Sequence, residues 1–558
     1  MTATAAIPTQ VRHFRQILLW PLQLLPLRPG SQIQRHWEAL ECGGPDCPWH
    51  EVGDEFPEDP AQFQERHYAE FVTFLPYVQR FLYGEGRHRK VVPAEPRARA
   101  AAESPMRAFR RDDIAAVRLV TRAGAAPLTL PIAHIDLYFF YDIDVVMLNV
   151  EVSADEITLE QAQEVLYRFG RAYPAGWEGT GQGRHTMYSC EWLDAGGQVL
   201  AASDVNERQS FLRHVCEHRS PRIAAHWAYV LQPLLPEHGV GRDGSIRYRL
   251  LEYHRMPTMG YIAVDEPNAL SRPDFIRLGL VTGAGAELPF AAGHLTDFEA
   301  RYCYDRFWCD VGPAPQTRYL CCGHALVVVG DADFAYFRDR EVGVLGQFRH
   351  PHFLLFLIAH FQKAALLMFA DRLAEALKQL DISDPNRIRV FKRAIRQNYE
   401  IFLRFTHRYW FHDVSEQAQT RALFRMCVGH LDLDPLYNDV KQRIGDMNTY
   451  LDADSLRRQA NTVVKLTVVT IFGLIGTVAT GFLGMNLLAE ADSPLWFKLL
   501  AFLGRARGRD RVDRLHDREG QALLGLPRRA VRRAPEPPPA VQRAARRVAQ
   551  GAGGLTGD

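Results

Sequence analysis

The sequence lacks several things, and each absence removes a class of protein. It has no excess of either charge. Lys and Arg number 66 against 65 Asp and Glu, a formal +1, so no overall field draws the chain to nucleic acid. Its nine cysteines follow no recurrent spacing, which reads as reduced intracellular thiols rather than a disulfide framework. Cys42, Cys47 and His50 in CGGPDCPWH offer three ligand types but no second pair, and a Gly/Pro turn is the simpler reading than a zinc site. No nucleophile–base constellation and no phosphate-cradling loop is visible; GAGAELPF is an isolated glycine pair, so the chain does not read as an enzyme. No signal peptide is visible either. QILLWPLQLLPL (Gln16–Leu27) is broken by Pro21 and Pro26 and is too short to cross a bilayer. A buried strand or packed arm is expected there, with the N-terminus cytoplasmic.

What is present divides in two. At 558 residues the chain is long enough for two to four domains. Residues 1–345 read as an α/β domain. IDLYFFYDIDVVMLNVEV (Ile135–Val152) is rich in aromatic and β-branched residues, as strands are. ITLEQAQEVLYRFGRAY follows with helical spacing, and RYLCCGHALVVVG reads as one buried strand. LPIAHIDLYFFYDID and LPFAAGHLTDFEARYCYD are faintly alike, which raises a duplicated unit. GEGRHRKVVPAEPRARAAAESP is a basic loop whose plainer reading is a solvated linker.

From about 346 to 434 the pattern is helical. PHFLLFLIAHFQKAALLMFADRLAEALKQL could be mistaken for a membrane span, but His360, Gln362 and Lys363 stand mid-run. A central Lys costs about 2.5–3.5 kcal/mol on insertion, so a helix packed inside protein is expected. Asp384 then serves as N-cap with Pro385 at the first helical position. Ile388, Phe391, Ile395, Phe402, Phe405 and Tyr409 recur every three or four residues as one apolar stripe. A stalk helix over 435–465 keeps that spacing through Leu436, Val440, Ile444, Met447 and Leu451.

The stalk runs into a span, 466–486, that holds no charge from Leu466 to Met485, the length of a bilayer crossing. Arg457, Arg458 and Lys465 flank its start, which puts that side in the cytoplasm and the span in the inner (plasma) membrane. Thr470, Gly473, Thr477, Gly481 and Gly484 fall at intervals of three or four and share a face. That face suits either helix–helix packing or a pore wall of hydroxyls and exposed carbonyls, and copies packed around an axis would satisfy both. Asn486 closes the run with a neutral amide. Such a group can hydrogen-bond the water shell of Mg²⁺, an ion that gives up water reluctantly. Glu490 and Asp492 in the loop 487–494 would concentrate cations.

Gly484-Met485-Asn486 at the end of a span that continues a long cytoplasmic helix, with ANTVVKLTVVTIF before it and an acidic loop after it, resembles the CorA family of magnesium channels. The closest likeness runs from Pro435 to Trp496. The resemblance implies a homopentamer moving Mg²⁺ inward, with Gly484, Met485 and Asn486 as selectivity ring. It also implies Leu466 as hydrophobic constriction and Thr470, Gly473, Thr477 and Gly481 lining the pore. Where the family carries an aromatic residue before the glycine, Leu483 stands here, after Phe482. The resemblance further implies regulatory Mg²⁺ held by carboxylates; Asp446, Asp452 and Asp454, with Asp432, Asp434 and Asp439, are candidates, against the plainer reading of a solvated helix face. Two alternatives stand beside Mg²⁺ transport: a Zn²⁺, Co²⁺ or Ni²⁺ transporter of the same family, and a membrane-tethered sensing or binding subunit that moves no ion.

The family's second span begins at 495–504, SPLWFKLLAFLG, then gives way to 505–558 with thirteen Arg and no Lys. A basic tail on anionic lipid is one reading. The other is a change of reading frame near Gly504. A one-base shift turns Asp510, Asp513 and Asp517 into Ile, Met or Thr and leaves Glu519 and Gln521 as Lys or Arg, which would restore an apolar span ending in cations. These forced positions favour the frame change, and with it a second span truncated as written.

Overall fold

The computed structural model describes residues 9–25, 35–41, 47–52, 64–84, 105–239, 246–252, 254–284, 290–378 and 384–484, with the single positions 380, 494 and 496. The chain divides into two compact units, Met1–Asp454 and Ser455–Asp558. The α/β segment 1–345 and the helical segment 346–434 both fall within the first. An α/β sheet domain followed by helices is what the residues form.

The strands in chain order are β1 (Gln10–Leu25), β2 (Trp49–Glu51), β3 (Met106–Arg111), β4 (Ala116–Val120), β5 (Leu128–Phe140) and β6 (Ile143–Thr158). Then come β7 (Ser189–Leu193), β8 (Val199–Ala202), β9 (Leu235–Pro236), β10 (Arg247–Leu250), β11 (Thr258–Val264), β12 (Cys303–Phe307), β13 (Thr317–Cys321) and β14 (Ala325–Asp331). They form one sheet in the order β12-β13-β14-β11-β1-β6-β5-β4-β7-β8, with β10 also on β1 and β3 also on β5. The expected buried strand at Gln16 is the second part of β1, at the centre of this sheet. Proline is normally excluded from a central strand because it cannot donate. Pro21 is tolerated because it falls at a seam: Leu18 is opposite Thr258 of β11 and Leu22 opposite Leu250 of β10. The Leu19 amide donates to Pro257 O on that same side, so by the two-residue period the missing donor of Pro21 points into the gap between the two partners.

Both faces of the sheet are covered, which is why its strands read as nearly unbroken apolar runs. Val146, Leu148, Val150 and Val152 of β6 join one core, with Phe14, Leu18 and Trp20. Ile143, Val145 and Met147 join the other, with Ile17 and Leu19. The first core is closed by α1 (Leu159–Arg168), whose Thr158 forms a capping box with Gln161. The second is closed by helices: α2 (Pro351–Lys378), α3 (Pro385–Arg408), α4 (Ala418–His430) and the start of α5 (Leu433–Gly484). The Asp384 cap is present, its carboxylate accepting from the Asn386 amide at 2.8 Å. The stripes of α3 and α5 face inward: Phe391, Ile395, Phe402, Phe405, Val440 and Ile444 are buried. Helix α4 lies within the stretch read as helical, and it starts without a side-chain cap.

Two expectations are corrected. RYLCCGHALVVVG is a hairpin, β13 and β14, turning at Gly323. That glycine has φ +78°, and a Cβ there would lie 2.9 Å from His430 Cβ. The two alike segments are not a duplicated unit, since the first is strand β5 leading into β6 and the second is the helix Ala292–Tyr302 leading into β12.

Ionic contacts hold the helices to the sheet. Glu151, buried on β6, takes a two-point contact from Arg349 (2.8 and 3.2 Å) and another from Arg15 at 3.0 Å. His134 lies 3.4 Å away. Burial alone would raise this carboxyl; the charges of His134, Arg349 and Arg15 outweigh it and hold Glu151 below the ordinary range. Arg404 of α3 reaches Asp142 at 2.6 Å, and Arg372 of α2 pairs with Asp144.

Candidate functional site: an exposed apolar helix

Among the described residues two helical stretches are long and apolar enough to cross a membrane, Val344–Lys378 and Gln459–Thr480. Their surroundings differ. The first is mostly buried within the Met1–Asp454 unit. The three polar residues mid-run find partners: His360 Nε2 meets Gly323 O at 3.0 Å, the Gln362 amide donates to Tyr409 O at 3.0 Å, and Lys363 Nζ lies 3.4 Å from Glu252. The core helix read from the sequence is what stands there.

The second stretch has no buried residue. Val463, Val464, Leu466, Val468, Val469, Ile471, Leu474, Ile475 and Val478 are each 40–65% exposed. Covering nine such half-exposed side chains would gain about 1 kcal/mol each, on the order of 10 kcal/mol together. Apolar surface on that scale marks a lipid or protein contact.

Four of its threonine hydroxyls are satisfied within the helix itself. Thr467, Thr470, Thr477 and Thr480 donate to the carbonyls of Val463, Leu466, Gly473 and Gly476 at 2.8–2.9 Å. This back-bonding keeps a hydroxyl tolerable in hydrocarbon, and it leaves the oxygen's remaining acceptor capacity facing outward. At 100° per residue, Thr470, Gly473, Thr477, Gly481 and Gly484 fall within an arc of about 80°. Val464, Val468, Ile471 and Ile475 fall on the opposite side. A Cβ added at Gly473 would meet nothing within 4 Å. Nothing among the described residues therefore needs glycine there, although glycine costs a helix interior about 1 kcal/mol relative to alanine. A bare backbone on a small-residue face is what a second helix approaches closely.

Of the candidate site residues, Leu466, Thr470, Gly473 and Thr477 are placed on this helix, and Gly481 and Gly484 lie in the last turn of α5. Met485, Asn486, Glu490 and Asp492 lie outside the described residues, as does all of 505–558. Asp446 and Asp452 are exposed on α5, and Asp454 is helical. Asp439 is held by Arg443 at 2.8 Å. Among the described residues no three His, Cys, Asp or Glu side chains, as oriented, converge where a metal ion would sit. Of the loose cysteine cluster, Cys42 lies outside the described residues and His50 faces Asp112 at 3.3 Å.

The chain matches no family model, no curated protein and no solved structure. The functional reading is carried by the residues and their geometry.

The buried ionic contacts around Glu151 escaped the sequence reading. Their signal was available: Asp136, Asp144 and Glu151 interrupt otherwise apolar strands, and a carboxylate in such a place needs a cation.

Proposed function

We propose that this chain is a divalent-cation transport protein of the CorA type, with Mg²⁺ as the favoured ion, working as a homopentamer in the inner membrane. The observation that carries it is the helix Gln459–Thr480: without a buried residue, apolar on one side, lined with Thr and Gly on the other, and running toward Gly484-Met485-Asn486. In this reading Val464, Val468, Ile471 and Ile475 face lipid. Copies of the opposite face surround the axis, bringing Thr470, Gly473, Thr477 and Gly481 to the pore and Leu466 to its apolar constriction. At the outer end the Gly484–Asn486 ring offers amide and backbone oxygens to an ion that keeps its water. Glu490 and Asp492 raise the local cation concentration, and flux follows the electrochemical gradient. A membrane-tethered sensing subunit is the rival, but an anchor alone has no use for a Thr/Gly face.

The test is Mg²⁺ uptake into liposomes holding the purified full chain. Asn486→Ala should abolish uptake while the oligomer remains intact on size-exclusion chromatography. Unchanged uptake would remove the amide from the mechanism, and a monomeric parent protein would remove the pore.

A further inference from the structure

Three histidines outside the helix–sheet contacts described above and outside the span stand together on the first unit. His214 and His218 are one turn apart on the helix Arg208–His218, and His238 follows β9. Their ring centroids are 4.6 Å apart for His214 and His218, 4.5 Å for His218 and His238, and 6.1 Å for His214 and His238. Three imidazoles bound through nitrogen at about 2.0–2.1 Å to one tetrahedral ion have centroids roughly 5 Å apart. We propose that His214, His218 and His238 form a binding site for a borderline divalent cation of the Zn²⁺, Co²⁺ and Ni²⁺ class.

Several observations support it. The i, i+4 spacing of His214 and His218 puts both rings on one side of the helix. Glu217 lies 3.8 Å from His218 and Glu237 lies 3.9 Å from His238, so each has a carboxylate at hand to orient it or to fill an open position. The rings of His218 and His238 are now stacked, with planes 6° apart, so their lone pairs run side by side. Their side chains are 33% and 32% exposed, and rotation about their χ bonds turns the nitrogens toward one point. Imidazole ligands select against Mg²⁺, which takes oxygen donors. The site is therefore distinct from the proposed pore, and its failure would leave that reading untouched.

The experiment titrates the purified full chain in detergent with Co²⁺, in excess Mg²⁺, and reads the visible absorption of the bound ion. One equivalent is expected to bind and to be displaced by Zn²⁺. His214→Ala, His218→Ala and His238→Ala should each weaken binding at least tenfold with the far-ultraviolet circular dichroism unchanged, whereas Cys216→Ser, on the same helix, should bind as the parent does. Equal affinity in the parent and in the triple His→Ala variant would overturn the site, as would Co²⁺ displaced by Mg²⁺ alone.

Discussion

Ile471 and Ile475 lie near the middle of the exposed helix, on the side away from the Thr/Gly face, 50% and 49% exposed. Replacing both with lysine tests whether that side meets lipid. On insertion scales each isoleucine contributes about −0.3 to −0.6 kcal/mol and each central lysine costs about 2.5–3.5 kcal/mol. The pair therefore shifts the balance by about 6 kcal/mol, roughly four orders of magnitude in partition at about 1.4 kcal/mol per decade. Neither side chain packs in the core of the first unit, so folding of Met1–Asp454 should be untouched. The assay is alkaline extraction of membranes from cells making the full chain, followed by blotting of the pellet and the supernatant. The Ile471→Lys/Ile475→Lys protein should move to the supernatant with the parent's protease-resistant fragment. The counterpart is Leu357→Lys in α2, fully buried, where an unpaired charge enters a packed core at a cost of several kcal/mol. That variant should lose the resistant fragment, because α2 serves folding and not insertion. If the double variant stays in the pellet like the parent, the exposed helix is not in the bilayer and the transport reading falls with it. If Leu357→Lys leaves the fragment intact but releases the protein from membranes, the two helices have been assigned the wrong way round.

Other outcomes follow from the buried charges. Lys363→Met strips Glu252 of its partner and should destabilise the first unit by about 3–5 kcal/mol near neutral pH. Burial raises the Glu252 carboxyl above its ordinary range while Lys363 draws it back, so removing the lysine raises it further. A folded state that holds an extra proton loses stability as pH rises through that window. The cost in Lys363→Met should therefore shrink toward pH 5 in urea unfolding, and Lys363→Met/Glu252→Gln should lose this pH dependence. Histidines work in the other direction. Burial pushes His226 and His360 down to about 3 and His352 to about 4. Each stays neutral when folded and charges on unfolding, so its stabilisation is complete above pH 6.5 and lost below it, at about 1.4 kcal/mol per pH unit. His226→Leu should reduce the acid slope of unfolding free energy by about one proton; an unchanged slope would refute the neutral assignment.

Periodicity made much of this legible. The stripe in α3, the Asp384 cap and the strand at Gln16 all follow from local rules, and local rules hold where a segment's own pattern matches what covers it. Lys363 was the residue that separated the two apolar helices, because a charge mid-run forecasts a protein partner. The misses were non-local. RYLCCGHALVVVG looks unbroken because Cys322 and His324 flank the Gly323 turn without any of the usual turn companions. The likeness of LPIAHIDLYFFYDID to LPFAAGHLTDFEARYCYD rests on shared letters, while the helix in the second follows from the polar spacing of HLTDFEARY. The histidine cluster could have been half found: H-x3-H on a helix is a spacing with chemical meaning, but His238 reaches it only through the turn after β9. For the span, the sequence shows the Thr/Gly face, and the structure adds that none of its described residues is buried.

The seam at Pro21 sets a timetable for synthesis. The spine of the sheet leaves the ribosome well before its partner: Leu18 must wait for Thr258, 240 positions later (258 less 18). At roughly 5–20 residues per second, that is on the order of 10–50 s during which a greasy strand has an open edge. Such long-range closure is slow to form and prone to mispair. The nascent chain should thus lean on a holding chaperone until that second edge is made.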